Sequence, residues 1–258
     1  MKVFSVIGIT KSGKTTVVEK LIGELRRRRY TVGSVKDIHF EKFAIDTEGT
    51  NTYRHKMAGS QLVTARGLQE TDVLFPRRLS VGEILAFYQH DFVALEGVDD
   101  YNVPKIVAAH HTGEVDERLD DSVFAISGVL ANEGIKEYRG LPVFNVLTDA
   151  EALVDLIEEK VPRLLPDFPP ECCSGCGMSC REFLAALLRG ERRRSDCLLE
   201  SASVRLKIGG REIAMVPFVQ EVLRKTVVGL VSTLEGYRDY AAIEISIEGS
   251  KGHDQGER

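Results

Sequence analysis

The sequence predicts an α/β chain: a doubly wound, mostly parallel sheet, then a small Cys-rich segment and an α+β domain. Three observations carry that prediction. Short apolar runs of strand length alternate with amphipathic helical stretches through the first part of the chain, the pattern of a parallel sheet covered on both faces. All five cysteines fall between Cys172 and Cys197. Beyond them the pattern changes to an alternating hairpin and one long helix.

Val3-Phe4-Ser5-Val6-Ile7 is an apolar run ending at Gly8, a strand buried on both faces. A helix follows at once. Val17, Val18, Leu21, Ile22 and Leu25 recur at helical spacing, and Arg26 to Arg29 sit where cations complement the helix dipole. Residues 31–36 make a second strand, and further strands are expected at 61–65, 72–75, 92–95, 105–109, 123–126 and 142–144. A helix is expected over 80–90. Thr148 and Glu151 read as a capping box for a helix over 152–160, in which Leu153, Leu156 and Ile157 share a face.

Pro162, Pro166, Pro169 and Pro170 interrupt regular structure before the cysteines. After them, 203–208 alternates, Gly209-Gly210 turns, and 211–216 returns as a hairpin. Pro217 opens a helix whose apolar face carries Phe218, Val222, Leu223 and Leu230, and 243–247 alternates as a last strand. The domain reading is therefore 1–162, a Cys-rich segment 163–200, a small α+β domain 201–248 and a polar tail 249–258.

The net charge of −5 argues against a nucleic-acid-binding surface, which needs a clustered basic face. No apolar stretch approaches the roughly 20 residues of a membrane span, and no leader precedes the first strand, so a cytoplasmic protein is expected.

The strongest motif is Gly8-Ile9-Thr10-Lys11-Ser12-Gly13-Lys14-Thr15, standing after a buried strand and before an amphipathic helix. This is a P-loop in its required context. The glycines let backbone N–H groups close around phosphate oxygens, Lys14 adds charge at the outer phosphates, and the Thr15 hydroxyl coordinates magnesium. Gly8, Thr10, Lys11, Ser12, Gly13, Lys14, Thr15 and Thr16, with Lys36 at the end of the second strand, are the expected nucleotide contacts. Magnesium needs a carboxylate at another strand end, and Glu96, closing the run from Phe92 and followed by Gly97, supplies it. Asp37 is a further candidate for magnesium, and Asp91, at the opposite end of its strand, reads as structural. Asp46, Asn51, Arg54 and His55 share a turn-rich stretch suited to a substrate or switch loop, in which Asp46 and Arg54 are candidate catalytic groups. His110-His111 has no third metal ligand in view and reads as structural.

The P-loop, then Val32-Gly33-Ser34-Val35-Lys36, then Ile45-Asp46-Thr47-Glu48-Gly49-Thr50-Asn51 running on to Gly59, then Leu95-Glu96-Gly97 and Pro104-Lys105-Ile106, resemble the MobB family of molybdopterin-guanine dinucleotide biosynthesis proteins. The resemblance implies a homodimeric GTP-binding protein with weak Mg2+-dependent GTPase activity. It also implies a partner guanylyltransferase that attaches GMP to molybdopterin, in synthesis of a molybdenum or tungsten cofactor. The family's Lys-His-x-His stretch corresponds to Lys36-Asp37-Ile38-His39, so Asp37 replaces its first His, and Asn51 stands at a family Asp. Guanine specificity rests on the resemblance, since Ile126-Ser127-Gly128 stands where an Asn/Thr-Lys-x-Asp run would read the base.

Cys173-x2-Cys176-x3-Cys180 with the distant Cys197, and Cys172 as an adjacent spare, suits a [4Fe–4S] cluster. Structural zinc usually pairs two close doublets instead. The stretch from Cys173 to Gly177, with Cys180-Arg181-Glu182-Phe183-Leu184-Ala185, Gly190 and Asp196-Cys197, resembles the iron–sulfur domain of corrinoid iron–sulfur proteins, one residue tighter between the second and third cysteines. Two other functional classes fit the same residues: a redox-responsive P-loop switch or binding module, and an ATP-dependent small-molecule ligase of the dethiobiotin synthetase-like type.

Overall fold

The computed structural model describes residues 1–40, 43–166, 176–197, 204–208, 211–213, 215, 217–238 and 243–247. They belong to two compact units, Met1–Glu200 and Ser201–Arg258.

In the first unit the chain runs β1 (Lys2–Ile7), α1 (Lys14–Arg27), β2 (Val32–Lys36), α2 (Asn51–Met57), β3 (Val63–Arg66), β4 (Thr71–Leu74), α3 (Val81–Leu85), β5 (Phe92–Glu96), β6 (Lys105–Ala108), α4 (Thr112–Asp116), β7 (Val123–Ser127), β8 (Glu137–Tyr138), β9 (Leu141–Pro142), α5 (Ala150–Lys160) and α6 (Cys180–Leu188). Five strands form one parallel sheet in the order β2-β5-β1-β6-β7. Every residue of β5, β6 and β7 is buried, as continuous apolar runs require in a sheet covered on both faces. The chain belongs to the expected α/β class. β1 is central, and its carboxyl end delivers the P-loop between the ends of β5 and β6.

Several elements differ from the sequence expectation for identifiable reasons. The runs at 61–65 and 72–75 pair with each other as the antiparallel hairpin β3–β4, outside the parallel sheet. The helix expected over 80–90 stops at Leu85. Its last turn tightens as Phe87 and Tyr88 donate to the carbonyls of Ile84 and Leu85, and the Tyr88 ring lies over Gly33, where a Cβ would be 2.3 Å from it. Gly33 is therefore the residue that lets Tyr88 lie flat on β2, with its hydroxyl donating to the Ser34 carbonyl at 2.7 Å. The expected box of Thr148 and Glu151 does not form. The carbonyl of Asn145 accepts the N–H groups of Thr148 and Asp149, so Asp149 becomes the N-cap, without a side-chain bond. Glu151 instead meets Arg27 of α1 at 3.2 Å. Only part of the run 142–144 is strand, although Val143 bridges Ile126 in parallel and extends the sheet edge.

The basic end of α1 staples α5. Arg28 reaches Glu24 at 2.7 Å, Asp155 at 2.7 Å and Glu158 at 2.8 Å. Beneath these pairs, Leu21 and Leu25 of α1 pack with Leu153 and Ile157 of α5 in the largest core cluster. Phe183 and Leu184 of α6 are buried in that same cluster, beside Leu188 and Cys197. Each such side chain contributes on the order of 1.5–3 kcal/mol by burial. A capping box between Ser179 and Glu182 starts α6. The described part of the Cys-rich segment is thus built into the core of the P-loop unit.

In the second unit β10 (Leu206–Ile208) pairs antiparallel with β11 (Arg211–Ile213), and α7 spans Pro217–Val231. The turn Gly209-Gly210 lies outside the described residues, as does the polar tail. Residues 243–247 form no strand; they pair with none of the described residues, and Ile243, Ile245 and Ile247 are exposed. No helix among the described residues is long and apolar enough to cross a membrane.

Candidate functional site

The loop between β1 and α1 closes around its own backbone. Gly8 and Gly13 take φ of 149° and 95°, and Lys11, at φ 63°, is a non-glycine residue in the left-handed region. Both sides of the loop are fitted without slack. A Cβ on Gly8 would lie 2.0 Å from the Ala108 carbonyl oxygen at the end of β6. On the other side, a Cβ on Gly128 would lie 2.4 Å from the Ser12 carbonyl oxygen and 2.8 Å from the Ala109 nitrogen. Val129 N–H donates to Ser12 O at 3.1 Å, and Leu130 N–H to Ala109 O at 2.8 Å. Gly128, read from sequence only as the absence of a base-reading run, is in fact the buttress of the P-loop. Its signal was an apolar strand running straight into a glycine, as β5 runs into Gly97.

Four expected residues converge here. Thr15 donates its hydroxyl to Glu96 Oε1 at 2.7 Å, and Lys36 Nζ donates to the same oxygen at 2.8 Å. Lys36 also lies 3.4 Å from Thr15 Oγ1. Lys14 turns back onto its loop, donating to the carbonyls of Gly8 at 2.9 Å and Ile9 at 2.5 Å. Burial pushes the Glu96 carboxyl up, but the hydrogen bonds from Lys36 and Thr15 and the charges of Lys36 and Lys14 outweigh it and hold it ionised below its ordinary value. Burial lowers the Lys14 ammonium. Glu96 opposes that, while Lys36 and Arg118 add to it. Arg118, which sequence reasoning missed, thus belongs to the field of this site; it donates to Glu114 O at 3.0 Å. Ser12 is fully buried, and its hydroxyl has no hydrogen-bond partner among the described residues. Thr10, Lys11 and Thr16 are exposed around the loop.

The remaining candidates stand apart from this convergence. The Asp37 carboxylate is engaged by Arg78 at 3.2 Å and lies 3.8 Å from His39, although its backbone N–H donates to Glu96 O at 2.9 Å. Asp46 accepts from Thr50 at 2.7 Å and Thr52 at 2.8 Å, fixing the entry to α2, and these bonds hold its carboxyl below the ordinary value. Its other oxygen is buried without a partner among the described residues. Arg54 is exposed in the last turn of α2. Asp91 accepts from the Thr31 N–H and hydroxyl, the structural role expected of it. His110 and His111 both approach Glu114, at 3.2 and 3.4 Å.

Cys176 packs against the main core, Cys180 is the first residue of α6, and Cys197 is buried. Cys172 and Cys173 lie outside the described residues. Among the described residues no group of three or more His, Cys, Asp or Glu side chains is arranged to hold a metal ion. The three described cysteines therefore do not themselves make a metal site.

Comparison with known proteins agrees with this architecture. The family described as molybdopterin guanine dinucleotide synthesis protein B, MobB, matches residues 3–128. A Methanocaldococcus jannaschii protein, named as a candidate molybdopterin-guanine dinucleotide biosynthesis adapter, is 30% identical over 258 residues, covering 97% of this chain and 99% of the relative. The molybdopterin-guanine dinucleotide biosynthesis adapter protein of Haemophilus influenzae is 31% identical over 130 residues, 47% of this chain and 71% of that one. The crystal structure of Bacillus subtilis MobB superposes with a TM-score of 0.52 at 23% identity, over 63% of this chain and 99% of that one, and shares the fold. With a relative aligned over nearly its whole length and a family match spanning the P-loop, β5 and β7, this chain belongs to the MobB family.

Proposed function

We propose that the chain is a GTP-binding adapter in molybdenum or tungsten cofactor synthesis, assisting a guanylyltransferase that converts molybdopterin to its guanine dinucleotide. The relatives' names support the pathway. The observation that carries nucleotide binding is the convergence of Lys14, Thr15, Lys36 and Glu96 on one strand end beside a glycine-built loop. Lys14 and Lys36 face the single Glu96 carboxylate and leave a positive field at the mouth of the loop. A polyphosphate satisfies that field. Thr15 and Glu96 are the groups fit to hold Mg2+, because the carboxylate stays ionised although buried. When bound, the ion neutralises charge across the outer phosphates and supports weak GTPase turnover. Arg54, exposed on the loop-borne α2, is the arm for a second anion such as molybdopterin phosphate. The resemblance to the MobB family supports a homodimer as part of this reading. Competition of GTP and ATP for the Mg2+-containing protein tests the reading: GTP is expected to displace ATP, and preferential ATP binding favours a ligase instead.

The [4Fe–4S] reading rests on the spacing of Cys173, Cys176, Cys180 and Cys197, and on Cys176 and Cys197 belonging to one apolar cluster around α6. Anaerobically purified protein is then expected to carry about four iron and four sulfide per chain. Zinc, or neither metal, overturns that assignment.

A further inference from the structure

Across β1 from the meeting point of Thr15, Lys36 and Glu96, the segments that follow β7 and β9 come together beside the P-loop. In the sheet, β5 and β2 lie on one side of β1, and β6 and β7 on the other. A 3-10 turn over Val129–Glu133 starts at the P-loop, where the Val129 N–H donates to the Ser12 carbonyl at 3.1 Å, and it carries the exposed Asn132. The segment after β9 is tied to the same strand end, since the Ser127 hydroxyl donates to the Phe144 carbonyl at 2.7 Å. Asn145 comes next, and its Nδ2 donates to Asn132 Oδ1 at 3.0 Å. The backbone fixes the polarity of this pair. The Leu147 N–H, a donor only, bonds Asn145 Oδ1 at 3.0 Å, so Asn145 faces Asn132 with its NH2 and Asn132 answers with its oxygen. What Asn132 has left to offer is an NH2 group without an acceptor among the described residues, on an exposed side chain that a ligand reaches from solvent. Residues i and i+3 share a face of a 3-10 turn, so Val129, 40% exposed, lies on the face of Asn132, and Leu147, whose N–H anchors the pair, is 61% exposed.

We infer that Asn132, held by Asn145, selects the guanine base, its NH2 donating to the O6 and N7 acceptors. This inference rests on the GTP reading above and assigns the part of that site that meets the base. With the outer phosphates and Mg2+ at Thr15 and Glu96, on the β5 side, the P-loop leads the nucleoside toward β7, where Asn132 stands. Val129 and Leu147 supply apolar surface for a flat ring, and the amide supplies the edge contact. An asparagine reads adenine by donating to N7 while its oxygen accepts from the N6 amino group. Here that oxygen is already held by Asn145, so adenine would set its amino group against the Asn132 NH2, two donors without an acceptor between them. The pair thereby takes the place of the absent Asn/Thr-Lys-x-Asp run while reading different atoms: a carboxylate accepts from N1–H and the 2-amino group, whereas an amide donor meets O6 and N7.

The test is calorimetric titration of the full chain, with Mg2+, against GTP, ITP, 7-deaza-GTP, ATP and inorganic tripolyphosphate. ITP keeps O6 and N7 and lacks only the 2-amino group, so it is expected to bind within about threefold of GTP, while 7-deaza-GTP and ATP bind at least about threefold more weakly. Tripolyphosphate has no base and reports the phosphate site alone. Asn132→Ala should lower the ratio of GTP to ATP affinity at least about threefold. Asn132→Asp, which keeps an acceptor for Asn145, should lower it further, because its carboxylate repels O6 and accepts from adenine N6. Asn145→Ala frees the Asn132 amide to rotate and should raise ATP affinity relative to GTP. A ratio unmoved by Asn132→Ala, or ITP binding at least about tenfold more weakly than GTP, overturns the assignment of Asn132 and leaves the GTP reading standing. A wild-type chain that binds neither nucleotide, or that prefers ATP, overturns the GTP reading and this assignment with it.

Discussion

Thr15 donates to Glu96 Oε1 at 2.7 Å, joining the first turn of α1 to the carboxyl end of β5. The same oxygen accepts Lys36 from β2, so three neighbouring segments of the sheet edge meet on one atom. Replacing Glu96 by Gln keeps the shape and removes the charge. GTP binding is expected to persist while its dependence on Mg2+ concentration shifts to higher values, because an amide is a poorer ligand for a hard cation. Superimposable Mg2+ titrations of the two proteins would place Glu96 away from the ion.

Among the described residues the Lys14 side chain makes two hydrogen bonds, both to carbonyls of its own loop, and it belongs to no core cluster. Lys14→Ala should therefore leave the thermal midpoint within about 2 °C of wild type. Nucleotide affinity should fall at least ~30-fold, since the buried phosphate loses its charged partner. Equilibrium binding of a fluorescent GTP analogue reads the effect, and unchanged affinity removes the central functional reading.

The parts of this molecule legible in the sequence are those fixed by local pattern. The run Phe92–Glu96 announced a buried strand with its carboxylate at the carboxyl end, and the P-loop announced its own turn and helix. What stayed hidden depends on contacts between distant segments. A strand running into Gly128 signals a tight turn but not its partner, the Ser12 carbonyl 2.4 Å from where a Cβ would stand, and nothing near Arg118 reveals that its charge reaches Lys14. The Thr148 box failed for the same reason: the Asn145 carbonyl takes the Thr148 N–H that the Glu151 side chain would have accepted, and the helix begins at Ala150 with Asp149 as its N-cap. Residues 243–247 alternate as a strand should, yet among the described residues no strand pairs with them, and alternation alone supplies no ladder.

At Gly8 backbone freedom and close approach coincide. Gly8→Ala places a methyl 2.0 Å from the Ala108 oxygen, at a φ of 149° that side chains rarely adopt. The expected cost is roughly 2–4 kcal/mol of stability, with weaker GTP binding because the loop must shift away from β6. Urea denaturation and nucleotide titration of one preparation measure both effects.

Leu184, 1% exposed, lies on α6 but packs with Leu21 and Leu153 of the P-loop unit. Leu184→Ala should cost about 2–5 kcal/mol and lower the unfolding midpoint of the nucleotide-binding unit itself. If the midpoint followed by GTP binding is unchanged while another part of the chain melts earlier, α6 contributes to a separate folding unit.

Glu24 gives the fold a defined response to acid. Hydrogen bonds from Arg27 and Arg28 hold its carboxyl at about 2, against an ordinary value of 4.5. A folded-state value below the unfolded one means that the contribution is fully present above about pH 4.5 and is lost as pH falls from there toward 2. Glu24→Gln should therefore be less stable than wild type at pH 7, and the gap should narrow at pH 4 and again at pH 3. Arg28 keeps its bonds to Asp155 and Glu158 in the variant, so the α1–α5 contact survives and the comparison stays within one fold. Urea titrations at the three pH values provide the measurement. A gap of constant size across them shows that Glu24 acts through packing and not through its charge.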